Sequence, residues 1–340
     1  MFFTKLETNT FIMENKESNK FQVPEITFGA GVFSGRYNHI EKDWPLLSVR
    51  RAFELGINAF DTSPYYGDSE KILGSAFHAL QEEFPRSSYY IFTKVGRYGP
   101  KNFDYTAKRI QESVKESCRR LCTDYLNVVY AHDVEFVNFE DVVEEGGALP
   151  ELFKLKEQGK IRYVGISGYP LDVLLKIARF QYERDQPIDA ILSYSHYCLH
   201  NIKLVDYIQE FKYVGVQYIM NASPLSMGLL RNSEPPEWHP ASTGLRYAVT
   251  QSAVLAARNN LNISKLALQF ALDYDDITST VIGLSNPSEV DEAIAILKEL
   301  HARKKGKKTI PEIEKKILNE IHQILEPHFN RSWDSPPKDH

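Results

Sequence analysis

Apolar positions along the chain fall into two alternating rhythms. Short runs rich in β-branched and aromatic residues read as strands: Ile26–Gly29, Asn58–Asp61, Tyr90–Lys94, Tyr125–Tyr130, Tyr163–Ile166, Ala190–Tyr194, Tyr218–Asn221 and Thr280–Gly283. Longer segments with apolar residues at i, i+3 and i+4 lie between them. This spacing predicts helices over Leu46–Leu55, Glu70–Ala79, Thr106–Leu121, Leu149–Gln158, Leu171–Phe180, Lys203–Phe211 and Pro287–Leu300. Gly56, Gly159 and Gly215 stand where helices should stop, each shortly before a strand. Eight strands alternating with helices predict an α/β protein with a parallel sheet, and at 340 residues a closed (β/α)8 TIM barrel is the economical form. A doubly wound sheet would open on a G-x-G-x-x-G turn, and the nearest stretch, Gly29 to Gly35, has its third glycine one place late.

The same pattern divides the chain. Residues 1–20 carry no periodicity and read as a disordered N-terminal arm; residues 21–325 read as a single barrel domain; residues 326–340, polar and proline-rich, read as a mobile tail. A proline-rich stretch, residues 230–243, predicts a long loop after the seventh strand, and an extra helix is expected near Pro311–Leu325. A hydrophobic share of 43% is enough for a large core, and a formal net charge of −5 argues against a nucleic-acid binder. The three cysteines are too few for a disulfide framework, and Cys118 and Cys122 read as buried thiols. With no secretory h-region and no membrane-length apolar run, a cytoplasmic protein is expected. Oligomeric state stays open, a homodimer included.

Chemistry in such a barrel belongs at the C-terminal ends of the strands. The second strand ends in FDTSPYYG, with Asp61 at its tip and Tyr66 in the following turn. The third ends on Lys94 and the fourth runs into His132. Consecutive strands are neighbours, so these four side chains can converge. The plain alternative is an Asp61–Lys94 ion pair with a satisfied His132 on the rim. As a group, the four suggest proton transfer at a hydroxyl or carbonyl. An ordinary tyrosine is a poor base at neutral pH, but an adjacent ammonium favours its phenolate. Asp61 would hold Lys94, His132 would orient the substrate oxygen, and Tyr66 would act as general acid/base. With no nucleophile–base pair and no metal-ligand spacing, a hydride-carrying nicotinamide is the natural cofactor.

FDTSPYYGDSEKILG, FTKVG, YLNVVYAHD, GISG and NASPLSMGLL, in this order, resemble an aldo-keto reductase from about Gly29 to Leu300. The resemblance implies a (β/α)8 barrel that binds an extended nicotinamide cofactor, with Asp61, Tyr66, Lys94 and His132 as the catalytic tetrad. Tyr65 is adjacent, but the spacing from Asp61 and the following Gly67 select Tyr66. It implies cofactor contacts at Gly31, Ser167, Ser193, Ser223, Leu225, Gly283, Asn286 and Glu289.

Several of these positions depart from the family's pattern. Ser167 is followed by Gly168 where an asparagine is usual, Ser193 stands in for a glutamine, and Ala222 replaces an aromatic residue. In NADP-preferring relatives a lysine and an arginine hold the 2′-phosphate, and Gly283 and Glu289 occupy those positions here. A glutamate would repel a phosphate and accept hydrogen bonds from a free ribose diol, which implies NAD; the alternative is an acidic residue placed to favour a helix start. The motif set is most similar to the sugar-oxidising branch that acts on D-arabinose and L-galactose and feeds ascorbate or erythroascorbate synthesis, with L-fucose as a related substrate. Trp44, Tyr65, Tyr98 and Trp238 are expected to line the sugar pocket. Two other readings are an NADPH-dependent aldehyde reductase and a cofactor-binding regulatory subunit with little turnover.

Overall fold

The computed structural model describes residues 22–35 and 39–335; the N-terminal arm expected over residues 1–20 lies outside them. Eight parallel strands close into a barrel. They are β1 (Ile26–Gly29), β2 (Ala59–Asp61), β3 (Tyr90–Val95), β6 (Leu126–His132), β7 (Ile161–Gly168), β8 (Ala190–Tyr194), β9 (Tyr218–Ala222) and β10 (Ser279–Gly283). Between β3 and β6 a small antiparallel hairpin, β4 (Arg97–Gly99) and β5 (Asn102–Phe103), stands outside the barrel. Sequence neighbours are spatial neighbours throughout, and β10 closes on β1. This is the (β/α)8 architecture that the alternating pattern predicts.

Alternate residues of each strand face the lumen. One buried cluster fills it: Ala59, Phe92, Val128, Tyr130, Ala190, Leu192, Tyr218, Met220 and Val281. Following the same parity up each strand leads to Asp61 above Ala59, Lys94 above Phe92, and His132 above Tyr130. On β7, β9 and β10 the corresponding residues are Ser167, Ala222 and Gly283. The opposite parity packs against the surrounding helices in a far larger cluster that includes Phe60, Ile91, Val129, Ile166, Ile191 and Ile282. The apolar lower layers thus form a floor, and the polar residues form the top layer of the same stack.

Besides the single-turn helix Phe139–Val143, two long helices escape the sequence pattern, Thr243–Arg258 and Ile263–Leu272. Their inward faces carry many alanines, which weaken the apolar stripe that reveals a helix. Both have clear side-chain caps: Ser242 Oγ accepts from Leu245 N, and Asn262 Oδ1 accepts from Ser264 N and Lys265 N. They pack with Glu312–Leu325, the expected extra helix, in a satellite core. Cys122 is exposed, in a left-handed turn just past the helix Ala107–Arg120, and Cys118 is half-buried, so the expectation of two buried thiols is corrected. Residues 326–335, expected to be mobile, lie against the barrel. Asn330 N donates to His200 O, Ile202 N donates to Asn330 Oδ1, and the Trp333 ring stacks on Tyr169 at 5.0 Å and 15°. The aromatic ring and the asparagine give this polar segment its anchors. Among the described residues no helix is long and apolar enough to cross a membrane.

Candidate active site

The top layer gathers the four predicted residues. Lys94 Nζ donates to Asp61 Oδ1 at 2.6 Å and to the carbonyl of Thr62 at 2.9 Å, and lies 4.8 Å from the centre of the Tyr66 ring. Lys94 and Asp61 are only 1% and 3% exposed. Burial drives the Asp61 carboxyl above its ordinary range and the Lys94 ammonium pulls against it. Desolvating two charges costs several kcal/mol per ion, which the close pair offsets in part, since Asp61 Oδ2 stays buried without a hydrogen-bond partner. The helix Ser69–Leu80 braces this corner from outside the barrel. Thr93 Oγ1 donates to the buried Glu70 at 2.7 Å, and Arg120 holds the other oxygen of Glu70 at 3.1 Å.

His132 stands edge-on to Tyr66, with ring centres 5.9 Å apart and an interplanar angle of 88°. Its Nδ1 lies 3.2 Å from Ser63 Oγ, and its Nε2 lies 3.4 Å from the carboxylate of Asp133. Tyr65 N donates to Ser63 Oγ, leaving the hydroxyl proton available for Nδ1. A hydroxyl at Nδ1 and a carboxylate at Nε2 together favour the tautomer with the proton on Nε2. Burial pushes the imidazole down to about 3, reinforced by Lys94 and Arg97 and opposed by Asp133, so His132 is neutral at physiological pH. Tyr105 donates its hydroxyl proton to the His132 carbonyl and so ties down the end of β6.

The remaining predicted contacts divide. Ser167, the register partner of His132, reaches the top layer with lumen-facing parity, and its Oγ lies 3.5 Å from the Ala131 carbonyl. Gly31 lies against Tyr66, where an added Cβ would touch the ring at 3.5 Å. Ser223 and Leu225 follow β9 in a turn, with Ser223 at φ +57°. Ser193 carries the opposite parity and its Oγ is occupied by His196 Nδ1 at 3.1 Å, which removes it from the glutamine's role. Gly283 is exposed, and a Cβ there would sit 2.5 Å from Val32 Cγ1, so a side chain at this position requires Val32 to shift. Asn286 and Glu289 cap the helix Pro287–Lys304. Asn286 Oδ1 accepts from Glu289 N at 3.1 Å, and Glu289 Oε2 accepts from Ser285 N at 2.5 Å. The bland reading of Glu289 is therefore present, although its charge still stands at the helix start.

Of the aromatic residues expected in the sugar pocket, Tyr65 belongs to the mouth, 6.0 Å from His132. Trp44 starts the helix Trp44–Glu54 and is half-buried. Trp238 is 52% exposed and leans on His239, and Tyr98 packs under Arg109 with its hydroxyl accepting from Gly96 N. The sequence reading missed Ser63, Arg97, Asp133 and Glu135. Asp133 directly follows His132, and that adjacency was its only signal. Glu135 explains the absent asparagine, because a Cβ at Gly168 would meet Glu135 Oε2 at 2.5 Å. The carboxyl of Glu135 accepts from Tyr169 N and Ser335 Oγ, and burial with help from Asp133 pushes it up to about 8.

The top layer suits a nicotinamide dinucleotide. Beside Tyr66 and Lys94 the lumen-facing positions of β9, β10 and β1 carry Ala222, Gly283 and Gly29, which leave that side of the mouth free of bulky side chains. The capped start of Pro287–Lys304 follows β10 on the same rim, and helix N-termini favour phosphate. Among the described residues no group of three or more His, Cys, Asp or Glu is placed to hold a metal ion.

Known proteins match this chain over most of its length. The sequence profile of the Aldo/keto reductase family covers residues 25–315. L-galactose dehydrogenase of Arabidopsis thaliana is 40% identical over 318 residues, 92% of this chain and 94% of that protein. D-arabinose 1-dehydrogenase of Saccharomyces cerevisiae is 37% identical over 337 residues, 95% of this chain and 98% of that protein. A solved structure from Pseudomonas aeruginosa, assigned to the aldo-keto reductases, superposes with a TM-score of 0.59 at 22% identity, covering 82% of this chain and 91% of that one.

Proposed function

Since the chain belongs to the aldo/keto reductase family, we propose that it is an NAD-linked aldose 1-dehydrogenase. In this reading it oxidises the anomeric carbon of D-arabinose, and of the related L-galactose and L-fucose, to the aldonolactone. The observation that carries the reading is the buried Lys94 ammonium, set between Asp61 at 2.6 Å and the Tyr66 ring at 4.8 Å beside a neutral His132. The two dehydrogenases that match nearly end to end supply the substrate class.

A nicotinamide held by Ser167 and the rim of β9, β10 and β1 would supply the hydride acceptor. The protein's own groups handle the proton. Lys94 favours the phenolate of Tyr66, which takes the proton from the C1 hydroxyl. Asp61 keeps Lys94 charged and fixed. His132, donating from Nε2, holds the C1 oxygen at the angle the transfer requires. Gly283 and Glu289 support NAD: the first carries no cationic side chain, and the second sets a negative charge where a 2′-phosphate would need a positive one. A cytoplasmic place in ascorbate or erythroascorbate synthesis belongs to the same proposal.

The deciding experiment is a panel of aldoses assayed with NAD and NADP side by side. D-arabinose, L-galactose and L-fucose should reduce NAD, with kcat/KM at least tenfold below that value when NADP replaces it. Equal use of the two cofactors overturns the NAD assignment, and absence of sugar-dependent NADH overturns the dehydrogenase reading.

A further inference from the structure

We propose that Asp133 and Arg97 form a recognition couple for the hydroxyl on the carbon next to the reacting one, which makes this site selective for hydroxylated substrates over simple aldehydes or alcohols. The inference rests on the aldose dehydrogenase reading and adds to it a pair of residues outside the tetrad.

Arg97 Nη1 forms an ion pair with Asp133 Oδ2, the same oxygen that lies 3.4 Å from His132 Nε2. Nδ1 of His132 faces Ser63, so Nε2 is the nitrogen that can hold a substrate oxygen. A carboxylate oxygen 3.4 Å from that nitrogen lies within hydrogen-bonding reach of a hydroxyl next to a substrate oxygen held there. Carboxylate and guanidinium together offer an acceptor and a donor, which is the complement of a hydroxyl.

Three observations set this pair apart from an incidental surface contact. Both side chains are largely buried, 13% and 6% exposed, which is costly for charges without a use. Asp133 sits in the left-handed region at φ +56°, which aspartate adopts more readily than most residues and which recurs at functional sites. Arg97 opens β4, three residues beyond Lys94, and β5 pairs back along it with Phe103 opposite. Its guanidinium is held among the rings of Tyr65 at 4.2 Å, Phe136 at 4.7 Å and Phe103 at 5.1 Å. Its Nε and Nη2 donate only at 3.4 Å, to the carbonyls of Gly99 and Pro100 and to the Tyr65 hydroxyl, long contacts that a substrate hydroxyl can replace at little entropic cost.

The test compares kcat/KM for an aldose and its 2-deoxy analogue on the same enzyme preparation, so that misfolded protein cancels from the ratio. In Asp133→Asn the preference for the 2-hydroxyl should fall about tenfold or more relative to wild type, because a charge-assisted hydrogen bond becomes a neutral one. A ratio within twofold of wild type overturns the proposal. If Asp133→Asn gives no measurable turnover, Arg97→Lys, which keeps the charge and loses the planar fork, decides by the same criterion. Sugar dissociation constants with a Tyr66→Phe background should show the same change in ratio without turnover. A wild-type enzyme that oxidises no aldose would fail the underlying functional reading, whereas an active wild type with an unchanged variant ratio fails this inference alone.

Discussion

A buried ammonium is tolerated only while its partners hold, and Lys94 has two obligations: to Asp61 and Thr62 for its own stability, and to Tyr66 for reactivity. These roles separate experimentally. Tyr66→Phe removes a hydroxyl without disturbing the ion pair. It should lower kcat by at least about 10² to 10⁴, the usual contribution of a general acid/base, while NAD binding measured by calorimetry stays within a few-fold. Wild-type turnover in that variant would remove Tyr66 from the chemistry. Lys94→Met should lose activity and stability together, the latter by about 3–5 kcal/mol in urea unfolding, because Asp61 is left buried beside a thioether. Gly168 provides a second test at this scale. Gly168→Asn restores the side chain usual in relatives, yet its Cβ collides with Glu135 Oε2. The substitution should lower the thermal midpoint by several degrees and reduce activity, and pairing it with Glu135→Ala should recover much of the midpoint. A fully tolerated Gly168→Asn would show that Glu135 moves aside freely.

Elements place these residues through strand parity. Asp61, Lys94 and His132 share the lumen-facing phase of Ala59, Phe92 and Tyr130, so a period of two converts three separate strand ends into one polar layer. That much was readable before any coordinates, because β-branched runs and chemically distinctive tips need only local pattern. Parity could also have excluded Ser193, which shares the phase of the outward-facing Ile191. Other residues were out of reach for a different reason. Arg97 and Asp133 meet because the chain after β3 brings Arg97 against the residue that follows β6, and Glu135 fits because Gly168 makes room for it; both are consequences of tertiary contact with no periodic signature. The helices Thr243–Arg258 and Ile263–Leu272 were hidden by alanine-rich faces, although their caps were present in the sequence at Ser242 and Asn262.

Considered whole, the molecule keeps three imidazoles neutral by burial. His132 and His196 are pushed down to about 3 and His200 to about 4, from an ordinary value of 6.5. Below about pH 6.5 the unfolded chain takes up protons that the folded protein declines. Each histidine therefore removes roughly 1.4 kcal/mol per pH unit of acidification until its folded value is reached. Glu135, held up to about 8, acts in the opposite sense between its ordinary 4.5 and 8, where the folded state keeps a proton that the unfolded chain has lost. His239 and His322 are lowered in the same sense as these three, and Asp61 and Asp189 are raised like Glu135, so histidines outnumber carboxyls on the acid side and Glu135 remains above pH 6.5. Urea midpoints should peak near pH 6.5, fall steeply towards pH 4.5 and decline gently towards pH 8. Glu135→Gln should flatten the alkaline limb, and a midpoint constant from pH 6.5 to 4.5 would contradict the neutral histidines.

The seating of Trp333 on Tyr169 has a practical use. The chain holds three tryptophans, and Trp333 alone lies on the tail segment whose neighbour Ser335 reaches Glu135 beside the mouth. Replacing Trp44 and Trp238 by phenylalanine leaves a protein with one indole emitter at that position. Its emission can then follow tail release and mouth occupancy in real time, with no attached dye.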